Sequence, residues 1–304
     1  AMRGGLSFSG TEYDYIELEN ETLGYVAALI SISYFGLGFL ASKGRTDYGE
    51  FSITSEDTFE GYTIHARDKN RIYGFSVDLQ EFYSRKRQGK AITERFDLAF
   101  GLNLIRNSSN INAEGTETFA NSANLGLLVK VLLLQSNAQR LEAAAGATLF
   151  NVFNQGREPS YTGEEERIYK RLNLAGGLSA TLLNPRFNDG SLPGMFSELA
   201  SLRLMAGASN EFASDPLILG FGGELGLVDL LFLRTGYHHD DAGNIKGLTY
   251  GAGLNLHFRK LINLRYDYAH FPAATGFSAR EISSYGINID ILGWINGGKK
   301  PPLH

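Results

Sequence analysis

Apolar residues in this chain recur at every second position, with glycine or a polar residue between them. Side chains on an extended strand point to opposite faces with period two. Such a run therefore builds a strand with one apolar face and one small or polar face. The pattern is cleanest between Leu248 and Phe258, where Leu248, Tyr250, Ala252, Leu254, Leu256 and Phe258 alternate with Thr249, Gly251, Gly253, Asn255 and His257. After a tight connection at Arg259–Lys260, Ile262, Leu264, Tyr266 and Tyr268 oppose Asn263, Arg265, Asp267 and Ala269. A last run sets Tyr285, Ile287, Ile289 and Ile291 against Ser284, Gly286, Asn288 and Asp290.

The same grammar holds earlier. Phe96 to Leu104 alternate with Asp97, Ala99, Gly101 and Asn103, and Tyr73, Phe75, Val77 and Leu79 with Gly74, Ser76 and Asp78. Leu172, Leu174, Leu178 and Leu182 share a face opposite Asn173 and Thr181, and Leu202, Leu204, Ala206 and Ala208 oppose Arg203, Met205 and Gly207. These segments approach the ~9–11 residues that a tilted strand needs to cross a bilayer. Polar connections at Asn107–Thr118, Asn154–Arg167, Asn184–Gly194, His238–Lys246 and Pro272–Arg280 punctuate them, rich in the residues that favour loops. The expected fold is all-β: one antiparallel transmembrane β-barrel of about 14 strands, with 12 to 16 compatible with the spacing. It is expected to be a single domain over residues 1–304, with strands over about 5–292 and a polar tail over 293–304.

Composition agrees. The chain has 304 residues, 43% hydrophobic and 20% charged, so it is not a disordered chain. Its mean hydropathy is slightly negative, as expected where half of each strand faces a polar interior. Its 36 Gly suit crowded inward positions and turns, and its 20 Phe, 15 Tyr and 1 Trp suit a lipid-facing surface with interfacial girdles. Net charge is −5 with no basic stripe interleaved with aromatics, which argues against a nucleic-acid partner. The absence of Cys excludes disulfides and Cys-ligated metals. No signal peptide is visible, and Ala1 and Met2 read as an added junction before Arg3.

Thr22 to Ser42 holds 21 residues without a charge, enough for a transmembrane helix. However, Val26, Ala28, Ile30 and Ile32 alternate in one phase, and Phe35, Leu37, Phe39 and Ala41 in the other. The phase flips near Ser33–Tyr34, as a tight hairpin requires. The three glycines and several β-branched residues also favour strand over helix.

The second half carries further motifs: Phe221-Gly-Gly-Glu-Leu-Gly, Leu233-Arg-Thr-Gly-Tyr237, Gly247-Leu-Thr-Tyr-Gly-Ala-Gly253 and Arg265-Tyr-Asp-Tyr-Ala-His270. In this order they resemble the C-terminal strands of the PorV/PorQ family, which is related to the FadL long-chain fatty-acid channels. Ala123-Asn-Leu-Gly126 resembles that family's Asp-Leu-Gly strand, with Asn124 in place of the acid. The resemblance is most specific over about Gly220–Ile291 and diffuse over about Phe96–Leu183. It implies a roughly 14-stranded barrel, used for uptake of hydrophobic molecules or as a component of type IX secretion. There are two departures. FadL-like proteins carry an N-terminal plug, whereas here the first strand lies at the start of the sequence. Outer-membrane barrels often end on an aromatic residue, whereas here the last strand runs into Trp294 and a polar tail.

Candidate site residues are those on the glycine-and-polar faces: Asp97, Arg203, Arg234, Asn255, His257, Arg265, Asp267 and Asp290. They are expected to line a lumen, either contacting a ligand headgroup or filling the interior as a satisfied polar network. Charge facing lipid at midplane costs about 2–4 kcal/mol for Arg or Lys, so inward charge is expected in any case. Arg265 and Asp267, two apart on one face, are positioned to pair with each other or with Arg234 across strands. Arg234 shares its face with Leu230 and Phe232, which leaves a greasy lumen patch, a plug contact and a local bulge as readings.

His238-His239-Asp240-Asp241 has metal-ligand residue types, but adjacent strand residues point apart, and a solvated loop is expected there. Glu164–Glu166 likewise reads as a solvated loop. Gly220-Phe-Gly-Gly-Glu-Leu225 fails the dinucleotide pattern, because Leu225 stands where the third glycine belongs. No P-loop, His-Glu-x-x-His or Gly-x-Ser-x-Gly is present. No enzyme activity, cofactor or metal is expected. The expected place is a Gram-negative-type outer membrane, with outer-membrane lipid as surroundings. Hydrophobic small molecules or secretion-system proteins are the expected partners. A soluble β-protein, which would turn its apolar faces inward, is the structural alternative.

Overall fold

A computed structural model of the chain describes residues 3–14, 22–34, 36–55, 58–79, 95–109, 118–153, 157–159, 165–167, 170–184, 198–211, 217–241, 243–258, 262–273 and 280–290. The strands are β1 Arg3–Asp14, β2 Thr22–Tyr34, β3 Leu37–Ser55, β4 Thr58–Asp78, β5 Phe96–Ser109, β6 Thr118–Gln135, β7 Gln139–Phe150, β8 Arg157–Pro159, β9 Glu165–Arg167, β10 Arg171–Leu183, β11 Glu198–Glu211, β12 Leu217–Leu227, β13 Leu231–Asp240, β14 Ile245–Phe258, β15 Ile262–Phe271 and β16 Arg280–Ile289. Fourteen of them form one closed antiparallel barrel, which β1 and β16 seal through a register running from Leu6↔Ile289 to Asp14↔Glu281. β8 and β9 pair separately as a small two-stranded sheet.

Among the described residues no helix is long and apolar enough to cross a membrane, and the strands take that role. Thr22–Ser42 is a hairpin. β2 and β3 meet at Tyr34↔Leu37, and Gly36 takes a φ of 76°, a left-handed conformation that glycine adopts without steric cost. The phase flip of the sequence is the geometric consequence of that turn.

Several strands run further than the sequence pattern suggests. The segment expected to be a loop at His238–Lys246 is largely ladder, with Asp240↔Ile245 as its last pair. The ladder there continues through residues too polar to show the alternation. β8 and β9 likewise add pairing inside the expected Asn154–Arg167 loop. Arg259–Lys260, Ile291, the 293–304 tail, Ala1 and Met2 lie outside the described residues.

Register assigns every strand residue to one of two faces. One face carries Phe39, Tyr73, Phe100, Leu204, Phe221, Leu248 and Tyr285, among many others, all exposed. Phe221 is 63% and Leu248 69% exposed. Among the described residues only Ala27, Ala120, Ala123 and Phe232 are buried apolar side chains. A soluble fold of this size would bury its large apolar residues, since burial is its main stabilising term. The opposite, concave face carries Gly226, Gly251 and Gly253 and the charges Arg203, Glu224, Arg234, Arg265 and Asp267, while Lys43, Arg71 and Arg106 share the outer phase. A closed barrel leaves no unpaired edge and turns its apolar face to hydrocarbon. This is the construction of an outer-membrane β-barrel.

The two rims differ. At the lower rim, where β1 begins and β16 ends, four connections have two or three residues (35–36, 136–138, 228–230, 259–261), and two are long (79–95 and 184–197). At the upper rim the connections are mostly longer, reaching 151–170 between β7 and β10.

Candidate functional site: the lumen wall

Alternation alone places Arg203, Arg234, Asn255, His257, Arg265 and Asp267 on the concave face. Pairing then decides which of them meet. Arg203 on β11 is in register with Glu224 on β12, and Glu224 with Arg234 on β13. Arg203 Nη1 donates to Glu224 Oε1 at 2.7 Å, and Arg234 Nε donates to Glu224 Oε2 at 2.6 Å. Each carboxylate oxygen therefore holds one guanidinium.

Arg234 continues the chain. Its Nη1 donates to Asp267 Oδ1 at 2.5 Å, although β14 lies between the two strands. Gly253 on β14 makes this crossing possible. It is the register partner of Asp267, and a Cβ there would lie 2.5 Å from Asp267 Oδ1 and 3.1 Å from Arg234 Nη1. Arg265 closes the series, donating from Nε and Nη2 to Asp267. The result is a ladder of alternating charge, Arg203–Glu224–Arg234–Asp267–Arg265. Its middle members are largely covered, and its two end arginines, 46% and 54% exposed, face the lumen. Charge-assisted bonds of this kind are roughly twice as strong as neutral ones.

The greasy face of β13 has a local explanation. Leu230 is not on the strand: its N–H donates to the Leu227 carbonyl within the turn. Phe232 faces the lumen between two register partners that are both glycine, Gly226 and Gly253. A Cβ at Gly226 would come within 3.1 Å of its ring, and Arg234 sits 5.8 Å above that ring. Phe232 thus fills a glycine-lined niche under the ladder, in an unbroken register that excludes a local bulge.

Asn255 and His257 sit below the ladder, toward the lower rim. His257 Nε2 lies 3.1 Å from Asp229 Oδ2 and 2.9 Å from Asn255 Nδ2. Val228 and Asp229 both have positive φ, 48° and 53°, which gives the β12–β13 turn its type I′ form and aims Asp229 at His257. Asp97 belongs to a neighbouring stretch of wall. It is in register with Lys130, and with Lys130, Arg140, Glu142 and Arg203 it lines a cavity of about 830 Å³. Arg140 also pairs with Glu142. Asp290 follows β16 directly, exposed at the lower rim and apart from the ladder.

A second cavity of about 530 Å³ continues the lumen past Glu224 and Arg234 toward the upper rim. Its wall combines glycines and alanines with Met205, Ile218 and Phe271 and with the polar Asn173, Ser209, Thr249 and His238. Ala175 and Met205 border both cavities. The charged groups from Asp97 to Asp267 all lie within six residues of the lower rim, and so form a collar around one end of the lumen.

Glu224, Lys130, Arg140 and Glu142 are site residues that the sequence pattern left aside. For Glu224 the signal was present, since it occupies the same phase as Gly220, Gly222 and Gly226. Among the described residues no group of three or more His, Asp or Glu is placed to hold a metal ion. The His238–Asp241 run splits accordingly: His239 pairs with Asp241 at 2.9 Å, while Asp240 accepts the Gly243 N–H.

No family model matches the chain, and no curated protein matches it in sequence. Solved structures similar in fold include CdiB from Acinetobacter baumannii (TM-score 0.46, 8% identity, 95% of this chain and 60% of that one), so the chain spans about 60% of CdiB's length. The Ralstonia pickettii toluene transporter TbuX aligns with TM-score 0.45 and 10% identity over 95% of this chain and 88% of its own. The Acinetobacter baumannii outer membrane protein Omp33 aligns with TM-score 0.44 and 8% identity over 95% of this chain and 99% of its own. Likeness at this level says nothing of substrate. The resemblance to the PorV/PorQ family rests on its strand motifs alone.

Proposed function

We propose that this barrel is an outer-membrane channel for hydrophobic small molecules, of the FadL-like kind. The observation that carries the reading is the lumen wall. Two adjoining cavities of about 830 and 530 Å³ fall in the range that holds small ligands. Above the charged collar glycines, alanines, Met205 and Ile218 share the wall with the uncharged polar residues Asn173, Ser209 and Thr249 and with His238. A small apolar molecule could cross that stretch without stripping water from charged groups. The collar at the lower end supplies the polar exit.

The test is uptake into liposomes carrying the purified barrel, with radiolabelled toluene as the probe. Ala175→Trp places a large side chain where the two cavities meet and should cut the rate several-fold. Equal uptake by wild type, this variant and empty liposomes would refute the reading. The secretion-component alternative has the strand motifs of Gly220–Ile291 behind it, and the described surface adds nothing to it.

A further inference from the structure

Charge of opposite sign enters the apolar outer face on two neighbouring stretches of wall. The first is a basic row. Lys43 on β3, Arg71 on β4 and Arg106 on β5 are register partners, Lys43↔Arg71↔Arg106. They share the phase of Phe39, Tyr73 and Leu104, so they point outward, and all three are exposed. Their row continues into Ala28 and Asn121 and holds no acid. The next row up adds Arg45↔Lys69. The second stretch is the seam where β16 meets β1. Glu281 on β16 lies in the outward phase of Tyr285 and Ile287 and is exposed. Its register partner on β1 is Asp14, and the Tyr268 hydroxyl on β15 donates to its carboxylate. The described outward positions of β15 and β16 hold no Lys or Arg.

The two stretches stand at matching heights. Lys43 is six residues above Leu37, the lower end of β3, Arg71 seven above Asp78 and Arg106 ten above Phe96. Glu281 is eight residues above Ile289, the lower end of β16. At a tilt near 40° each residue climbs about 2.5 Å, so all four stand about 15–25 Å above the lower rim. The apolar band of such a barrel is itself about 25 Å tall, so these charges lie within it or at its top. Charge there is costly against hydrocarbon, and ionised groups inside a membrane pair with one another. Each stretch carries the counter-charge of the other, but on a different part of the wall.

We infer that the basic row docks on the β1–β16 seam of a second copy of this chain, head to tail, in a small closed ring. Copies inserted the same way up present both patches at one height, so the row of one meets Glu281 of the next without vertical offset. Lys43 and Arg71 lie three and four strands round from Glu281 in a barrel of fourteen. That separation is about 75–105° of the circumference, and a head-to-tail contact repeated at about 90° closes at four copies. Shape agrees with charge. Beneath the row the wall is hollowed by about 440 Å³ between Tyr73, Leu104 and Phe153. Beneath Glu281 stands Tyr285, 55% exposed, an aromatic of the kind that anchors interfaces. Complementary charge across the contact fixes its register and excludes the like-charged alternatives.

The experiment uses the full chain, folded in mild detergent, with copies counted by native mass spectrometry and the fold checked by heat-modifiable mobility. Wild type should appear as a closed oligomer, near four times the monomer mass. Glu281→Lys sets like charge against the row and should run as a monomer. So should the triple variant Lys43→Glu, Arg71→Glu, Arg106→Glu, which sets acid against the seam. Each variant keeps one native face, so mixing the two should restore a complex that contains both chains. That arm separates a broken contact from a broken fold. A wild-type monomer, bare or carrying lipid or an unrelated protein, would overturn the interface. Folded variants that assemble like wild type, or a mixture of them that stays monomeric, would overturn it equally.

Discussion

Arg234 binds Asp267 across an intervening strand, through the gap left by Gly253. The contact joins β13 to β15 and links the Arg203–Glu224–Arg234 triad to the Arg265–Asp267 pair in one ladder. It also makes a glycine on β14 part of the charged site. Gly253→Ala should therefore break the ladder without touching a charge. We expect it to lower unfolding stability by about 1–3 kcal/mol, as small-to-large changes in packed sites do. Urea unfolding in lipid bilayers, followed by heat-modifiable mobility, reads the loss. Gly251→Ala is not a suitable control, since its Cβ would meet the Tyr268 carbonyl.

Glu224→Gln removes the carboxylate shared by Arg203 and Arg234. The collar then carries one more uncompensated positive charge. In planar bilayers the reversal potential under a salt gradient should shift toward anion selectivity. Adding Arg203→Gln should bring it back toward wild type. An unchanged reversal potential in Glu224→Gln would place the ladder outside the conducting path.

Lipid-facing and lumen-facing positions on one strand should differ in tolerance to charge. Leu254→Arg places a guanidinium on the outer face of β14 and should cost about 2–4 kcal/mol near midplane. Thr249→Arg, on the concave face, should cost far less. Folding yields into bilayers from urea compare the two directly.

Val228 has a φ of 48° at a position where β-branched residues are strained. A type I′ turn favours Asn at its first central residue. Val228→Asn should stabilise the barrel by about 0.5–1 kcal/mol, measurable in the same unfolding assay. The Asp229–His257 contact, which that turn positions, should be retained.

These residues also show how much the sequence could say. Alternation over Leu248–Phe258 marked which face of β14 meets lipid, because a two-residue period is local and needs no partner. The pairing of Arg265 with Asp267 was readable for the same reason. Arg234 was ambiguous from sequence alone, because Phe232 shares its face, and only register shows that both neighbours of Phe232 are glycines. The role of Gly253 was illegible, since a contact that skips a strand depends on side-chain reach. Lys43, Arg71 and Arg106 lie far apart in the chain, and only the closed sheet brings them into one row. The polar ladder beyond His238 was hidden for a simpler reason: backbone pairing continued where apolar alternation stopped.

The central claim is that one face of each strand meets hydrocarbon and the other a water-accessible lumen. The chain lacks Cys, so single cysteines can be placed along Leu248–Phe258 and spin-labelled in bilayers. Collisional accessibility to oxygen and to a water-soluble nickel chelate then reads each position. The account predicts a two-residue period, with oxygen dominant at Leu248, Tyr250, Ala252, Leu254 and Leu256, and nickel dominant at Thr249, Asn255 and His257; Gly251 and Gly253 are left out because any Cβ there meets the Tyr268 carbonyl or Asp267. A flat profile, or the inverted phase, would contradict it.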